Sequence, residues 1–441
     1  MDDRREHRLP CLREMPIVCS SSPHPRRRTV LGAAVASSLP LPALATARTR
    51  LSIAAFPMID EIVKAALPQW RRLHPQVDIE VVSRQYGDHH TAMTTALSTS
   101  VYLPDVMALE ASYLGRFSSG GGLERLVGPP YQAETLKDGF VGYAYAAGLN
   151  AQGQPVAVPT DIGPGTLLYR LDLLEKSGLQ VTDLTPSWEA YVEAGARIKS
   201  ATGAYLMANA QALKDILIRT GVGPDEGLYF GRDSQVLVTS PRFVRAFTLA
   251  REVRRRKLDA RVTAWSNEWA EGFRRGRLAT ELSGAWMVGQ MANWVAPDTR
   301  GLWRAAHLPG ATFVGYGGTF YAIPRRSDPA RKPLAWDLIR LLALDPGLQL
   351  AAFKSQDAFP ALLATHDAPF FDEPLPFLGG QRARQLWRDA ARRIGPVRVH
   401  KQNNFADEVV GTELDNVMDR GKDIGLALAD AARLLERRAR R

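Results

Sequence analysis

Residues 157–170 read AVPTDIGPGTLLYR: an apolar run, a Pro-Thr-Asp-Ile-Gly-Pro-Gly segment, and a second apolar run ending in Tyr169 and Arg170. A glycine-rich turn of this kind is either a phosphate cradle in an enzyme or a place where the chain crosses between two lobes. A phosphate cradle needs a lysine and a hydroxyl directly after its last glycine, to reach the phosphates and their metal. Here Gly163-Pro164-Gly165 runs into Thr166-Leu167-Leu168, with no lysine. The crossing is therefore the reading to test against the rest of the chain.

Upstream of this stretch, strands and helices alternate. Leu51 to Phe56 is a short apolar strand. Met58, Ile59, Ile62, Val63, Ala66, Leu67, Trp70 and Leu73 then recur at helical spacing, with Asp60 and Glu61 in the first turn. Pro68 is expected to interrupt or kink this helix. Val77 to Val82 supplies a second strand, His89 to Ser100 a helix, and Pro104 to Leu109 a third, buried strand that delivers Glu110 to a loop. Parallel strands joined by helices form an open doubly wound sheet. In such sheets ligands gather beyond the carboxyl ends of the strands, where Phe56, Tyr86 and Glu110 fall.

Downstream, a second alternation begins. A helix opens at Pro186-Ser187-Trp188-Glu189, a strand follows near Tyr205 to Ala208, helices cover Gln211 to Thr220 and Pro241 to Arg256, and a strand covers Leu278 to Leu282. Gly317 to Pro324 and the helix Ala335 to Leu344 read as a return to the first lobe, and Gln381 to Ile394 and Asp407 to Leu435 as closing helices. A chain of 441 residues exceeds one ordinary core, and two lobes of roughly 150 to 200 residues are expected.

The first 47 residues stand apart. Arg27 and Arg28 precede Thr-Val-Leu and an apolar segment from Val30 to Leu44, with small residues Ala43, Ala45 and Ala47 about its end; this is the order of an export signal of the twin-arginine type. Pro40 and Pro42 argue against a spanning helix there, and Met15 is an alternative start. Both cysteines, Cys11 and Cys19, lie in this leader and none follows the apolar segment, so neither disulfides, thiolate metal sites nor a lipid anchor are expected in the exported chain. The leader carries seven basic and four acidic residues, leaving +7 of the net +10 on the remainder. That charge comes from arginine, with only ten lysines, and its densest runs, Arg251 to Lys257 and Glu436 to Arg441, lack the interleaved aromatics of a single-strand binder. Nucleic acid is not an expected partner.

Enzyme motifs are mostly absent. There is no Gly-x-Ser-x-Gly elbow, no Ser-x-x-Lys and no His-Glu-x-x-His. His89 and His90, being adjacent, tend to point apart and suit a structural role better than metal ligation. Glu110 and Asp161 could serve as a glycosidase pair only at a separation the sequence does not fix. What the chain does carry is tryptophan and tyrosine beside glycine-rich or polar loops, at Ser283-Gly284-Ala285-Trp286, Ala264 to Trp269 and Gly315 to Thr319. A sugar ring, with apolar C–H faces and a hydroxyl rim, asks for flat aromatic surface plus fixed amides and carboxylates. Trp286, after a strand and a Ser-Gly turn, is the expected platform.

Taken together, several stretches resemble the family 1 extracellular solute-binding proteins of ABC importers, the group that includes the maltose-binding protein. They are Pro104-Asp105-Val106 with Gly122-Leu123-Glu124; Val158 to Gly165 with Leu168-Tyr169-Arg170-x-Asp172 to Gly178; Pro186-x-Trp188-x-x-Tyr191; Leu282 to Trp286; and Phe320 to Pro324 ahead of Ala335-Trp336. The resemblance implies a periplasmic binding protein type II fold, two doubly wound α/β lobes joined by a multi-crossing hinge with a ligand cleft between them. The lobes would comprise residues 48–157 with 311–354, and 158–310 with 355–441. It makes Val158 to Asp161 the first crossing, with Gly163 and Gly165 supplying backbone freedom beside the hinge. Asp161 would face the cleft, Glu110 would accept from sugar hydroxyls, Trp286 would stack, and Gly318 and Thr319 would lie where the chain re-enters the first lobe. Phe56 and Tyr86 join this set, and Asn209 and Arg398 are carried over by position in looser patterns. The resemblance further implies a monomeric periplasmic protein without cofactor or metal, whose partners are a carbohydrate and a membrane permease, the only membrane contact being through the permease. The rivals are the same fold around a non-sugar solute and a secreted glycoside-processing enzyme. Pro68 departs from the family's unbroken first helix, and the abundance of arginine leaves an acidic sugar open.

Overall fold

The computed structural model describes residues 48–223 and 226–439, so the expected export signal and both cysteines lie outside the described residues. Strands β1 (Thr49–Ala55), β2 (Val77–Ser83) and β3 (Val106–Glu110) are parallel, with β1 between the other two. The crossovers are helices α1 (Ile59–Leu73) and α2 (Tyr86–Thr99). Alternate residues of β1 are apolar, and the buried Leu51, Ile53 and Ala55 meet Val63, Ala66 and Trp70 of α1 in one core. Asp105 fastens the amino end of β3 to β1, its Oδ2 accepting from the Ser52 amide at 2.7 Å and the Ser52 hydroxyl at 3.0 Å.

Contrary to expectation, α1 runs through Pro68 without a break. Pro68 and Lys64, whose carbonyl loses its helical donor, both lie on the exposed face, where that carbonyl is open to solvent rather than stranded in the core.

The quoted stretch is not a loop between two runs. Val158–Arg170 is one thirteen-residue strand, β4, buried along its whole length. It pairs antiparallel with β5 (Thr280–Gly284), β6 (Trp303–Ala306) and β7 (Gly315–Ala322). The first half of β4 lies against β7, and β7 against β3, while the second half lies between β5 and β6. A single sheet of order β2-β1-β3-β7-β4-β5 results, with β6 attached to β4. Prolines interrupt a ladder, and here the register with β7 shifts between Pro159 and Asp161 and again between Ile162 and Pro164.

Beyond the second half of β4, the helices Trp188–Thr202, Pro241–Arg255, Asn403–Arg420 and Ile424–Ala439 share a core that includes Leu167, Tyr191, Phe243, Phe247, Leu414 and Leu428. Burying each such side chain contributes roughly 1.5 to 3 kcal/mol. The strand expected near Tyr205 reduces to two isolated bridges, Tyr205 to Leu278 and Met207 to Asp259. The long closing helix divides at Gly421, which adopts a left-handed φ of 70°.

Candidate ligand cleft

A cleft of about 1430 Å³ opens beyond the carboxyl ends of β1 and β3, and Phe56, Tyr86, Glu110, Asp161, Trp286, Gly318 and Thr319 all line it. Asn209 and Arg398 are not among its lining residues: Asn209 caps a turn by accepting from the Gln211 amide at 3.0 Å, and Arg398 is exposed, with its backbone paired to Gly227.

One wall is aromatic and acidic. Phe56 meets the Tyr86 ring edge-on at 5.5 Å. The Tyr86 hydroxyl donates to Glu110 Oε2 at 3.1 Å, and the Ser112 amide donates to the same oxygen at 2.9 Å. Glu110 is thus the N-cap of a helix, α3 (Ala111–Ser119), rather than a loop residue. His89 and His90 are both buried; their rings lie edge to face at 4.9 Å and bond backbone groups instead of pointing apart.

The floor is Asp161 on β4. Its backbone is clasped between Thr319 of β7 and Pro360, with the Ile162 amide donating to the Phe359 carbonyl at 2.8 Å. Asp161 is 5 % exposed, and its Oδ1 has no hydrogen-bond partner among the described residues; neither has the Tyr143 hydroxyl, which lines the same cleft. Burial pushes the Asp161 carboxyl up to about 6, against the pull of hydrogen bonds from Thr319. Gly318 sits at φ 129°, open to glycine alone, and brings β7 against the Asp161 carbonyl.

The opposite wall is tryptophan. Of nine tryptophans, Trp70, Trp188, Trp269, Trp303, Trp336 and Trp387 are buried in the core. The remaining three, Trp265, Trp286 and Trp294, all line the cleft. Trp265 stands between the other two, 6.0 Å from Trp286 at an interplanar angle of 15° and 5.8 Å from Trp294 at 25°. Trp265 and Trp294 are 51 % and 47 % exposed, and Trp265 holds a left-handed φ of 69°, a strained backbone for a bulky residue. Trp286 donates from Nε1 to the Tyr316 carbonyl at 2.9 Å. A Cβ on Gly163 or Gly284 would collide with that indole, and one on Gly163 would also strike the Tyr316 carbonyl. Neither Gly163 nor Gly165 has a positive φ, so the glycines of the quoted stretch give close approach rather than conformational freedom.

The rim carries Asp215, Asp407 and Arg219. Lys214, 2 % exposed, bonds Asp215 and Asp407 at 2.7 Å each, and the Tyr229 hydroxyl donates to Asp407 at 2.5 Å. These carboxylates outweigh burial and hold the lysine well above its usual pKa. Arg219 donates from Nε to the Gly315 carbonyl at 3.2 Å and lies over the Tyr316 ring. Tyr143, Trp294, Asp215 and Arg219 were not singled out from sequence. Trp294 follows Met287, Val288 and Met291 at helical spacing and so reads as core.

The sequence pattern of the bacterial extracellular solute-binding proteins matches residues 68–374. This chain is a bacterial extracellular solute-binding protein. It is 28 % identical over 389 residues to the lactose-binding protein of Rhizobium radiobacter, spanning 82 % of this chain and 88 % of the relative. Among solved structures, an extracellular solute-binding protein of family 1 superposes with a TM-score of 0.76 at 22 % identity, covering 89 % of this chain and all of the other. The ABC transporter associated binding protein of B. animalis subsp. lactis, solved with β-1,6-galactobiose, gives 0.74 at 20 % identity, covering 89 % and 98 %. The solute-binding protein shares their α/β periplasmic-binding fold, as expected from sequence. No described helix is long and apolar enough to cross a membrane.

Proposed function

We propose that this solute-binding protein is the carbohydrate-capturing component of an ABC importer. The observation that carries this is the near-parallel row of three tryptophans, the only ones left out of the core, facing carboxylates across one cleft. Stacked indoles suit the C–H faces of successive sugar rings, and Glu110 and Asp161 accept from hydroxyls. A relative named for lactose and a similar structure solved with β-1,6-galactobiose support an oligosaccharide. Five carboxylates, Glu110, Asp161, Asp215, Asp407 and Glu408, line the cleft against Arg219 and Arg245, which favours a neutral sugar over an acidic one.

In this proposal β4, β7 and the segment around Phe359 are the crossings between a lobe of residues 48–157 with 311–354 and one of 158–310 with 355–441. Sugar gripped from both sides favours the closed form by its differential affinity, and the closed form docks on a permease. The protein is exported as a free periplasmic monomer by the twin-arginine route, with residues 1–47 removed, no lipid anchor and no catalytic turnover. A micromolar ligand corresponds to about −8 kcal/mol, within reach of stacked aromatics and charge-assisted bonds after ordering costs.

Calorimetry against lactose, β-1,6-galactobiose and maltotriose, with chromatography of the incubated sugars, tests this. Binding without product is expected, and Trp265→Ala should weaken it about thirtyfold, since truncating a central aromatic anchor costs about 2 kcal/mol. Released monosaccharide would favour the glycoside-processing enzyme, and binding of a non-sugar solute alone would overturn the carbohydrate assignment.

A further inference from the structure

His90 belongs to no sugar-facing set, yet it joins two members of one. Its Nδ1 lies 2.8 Å from the Tyr86 carbonyl, an acceptor, and its Nε2 lies 3.1 Å from the Glu110 amide, a donor. These neighbours leave the ring a single arrangement, a neutral imidazole with its proton on Nδ1 and a lone pair on Nε2. The ring is 0 % exposed and stacked on Tyr113 at 4.0 Å and 16°, with Tyr86 at 4.7 Å and Phe56 at 5.4 Å closing its other sides. Burial pushes its pKa down to about 4, so the lone pair is retained at neutral pH.

The side chains of the same two residues meet on the cleft side. Glu110 Oε2 takes the Tyr86 hydroxyl, the Ser112 amide and the Ser112 hydroxyl, whereas Oε1 has no hydrogen bond among the described residues. The carboxylate is therefore clamped by one oxygen and presents the other. That clamp works only if the start of α2 and the start of α3 keep a fixed separation; His89 ties α2 to the Ala108 carbonyl of β3 at 2.7 Å, and the His90 imidazole is the link between the Tyr86 and Glu110 backbones themselves.

We propose that His90 is a positioning residue for ligand capture: it ties the Tyr86 backbone to the Glu110 backbone, so that the hydroxyl and carboxylate meet the sugar already in register. The proposal rests on Glu110 and Tyr86 being sugar contacts.

Two variants separate positioning from packing. His90→Phe keeps the stack on Tyr113 and loses both hydrogen bonds; His90→Gln keeps one donor and one acceptor and loses the stack. The expected result with lactose is an affinity about tenfold weaker for His90→Phe and within threefold of wild type for His90→Gln, one or two hydrogen bonds being at stake. The melting temperatures of the sugar-free variants should fall in the opposite order. Affinity losses that follow the melting temperatures, or an unchanged affinity in His90→Phe, overturn the proposal. Nitrogen-15 spectra of the sugar-free protein should show the Nδ1-protonated tautomer, and crystals of sugar-free His90→Phe should show Tyr86 Oη drawn away from Glu110 Oε2. The Nε2-protonated tautomer, or a hydroxyl still at about 3.1 Å, overturns it whichever sugar binds. Glu110→Gln is the control: if it leaves lactose affinity unchanged, the assignment of Glu110 as a sugar contact has failed; if it weakens affinity while His90→Phe does not, only the positioning role has.

Discussion

If Asp161 accepts from the sugar as proposed, affinity must depend on pH in a direction and amount that can be worked out beforehand. Its carboxyl is buried among the Tyr143 and Tyr321 hydroxyls, Thr319 and the charge of Glu110, and titrates at about 6. A sugar hydroxyl donating to this carboxylate would favour the ionised form, so below pH 6 binding would first have to expel a proton. If the bound carboxyl titrates near its ordinary value, affinity at pH 5 should be about tenfold weaker than at pH 7, and nearly flat above pH 7. The same burial acts on folding with the opposite sense. The folded pKa is raised, so the contribution of this group to stability is fullest below about pH 4 and is lost as pH rises through 6, by about 3 kcal/mol. Calorimetric titration with lactose from pH 5 to 7.5, in two buffers of different ionisation enthalpy, reads affinity and proton release together. Thermal melts of wild type and Asp161→Asn without sugar isolate the stability component. A pH-independent dissociation constant, no proton released at pH 5.5, or an identical pH profile in Asp161→Asn would refute the reasoning.

Three further substitutions have definite outcomes. Gly163→Ala places a methyl against the Tyr316 carbonyl and the Trp286 indole, both fixed by their mutual hydrogen bond; a loss of roughly 3 kcal/mol in chemical denaturation is expected, and a neutral result would show that β4 and β7 can part. Lys214→Met leaves Asp215, Asp407 and Tyr229 without their shared cation; because Asp407 is half exposed, the loss should be about 2 kcal/mol rather than the full penalty of a buried pair, read in urea melts. Gly115→Ala should improve α3 by about 1 kcal/mol as an isolated helix, but its Cβ would lie 2.5 Å from the Val399 carbonyl oxygen. If the two lobes meet there, lactose affinity falls while sugar-free stability does not, and unchanged affinity would count against that contact as part of closure.

Sequence alone reached the parallel strands β1, β2 and β3, because each is a short apolar run bounded by polar turns and separated by a helical pattern. It reached Phe56, Tyr86, Glu110, Asp161, Trp286, Gly318 and Thr319 as cleft residues through the strand-end rule and the family resemblance. It took Pro159 to Gly165 for a loop because prolines and glycines ordinarily punctuate strands. Here Pro159 and Pro164 sit at register shifts, and Gly163 clears space for a neighbour separated from it by more than a hundred residues. Trp294 was hidden for a similar reason: its helical spacing marks a core face, and only the fold turns that face toward Trp265. Asn209 and Arg398, placed by loose patterns, are not among the lining residues, although Val397 and Val399 on either side of Arg398 are; no local signal states where a turn residue points.

The separation of indoles into six shielded and three at the cleft gives the molecule a built-in optical reporter. Shielded rings emit at shorter wavelength and are out of reach of a charged quencher, so quenching by iodide comes mainly from the exposed members of the stacked trio. A saccharide laid across that trio would shield it, blue-shifting the emission and suppressing quenching, and would disturb the exciton coupling of parallel rings in circular dichroism. Occupancy can thus be followed without a label, in the same cuvette that records unfolding.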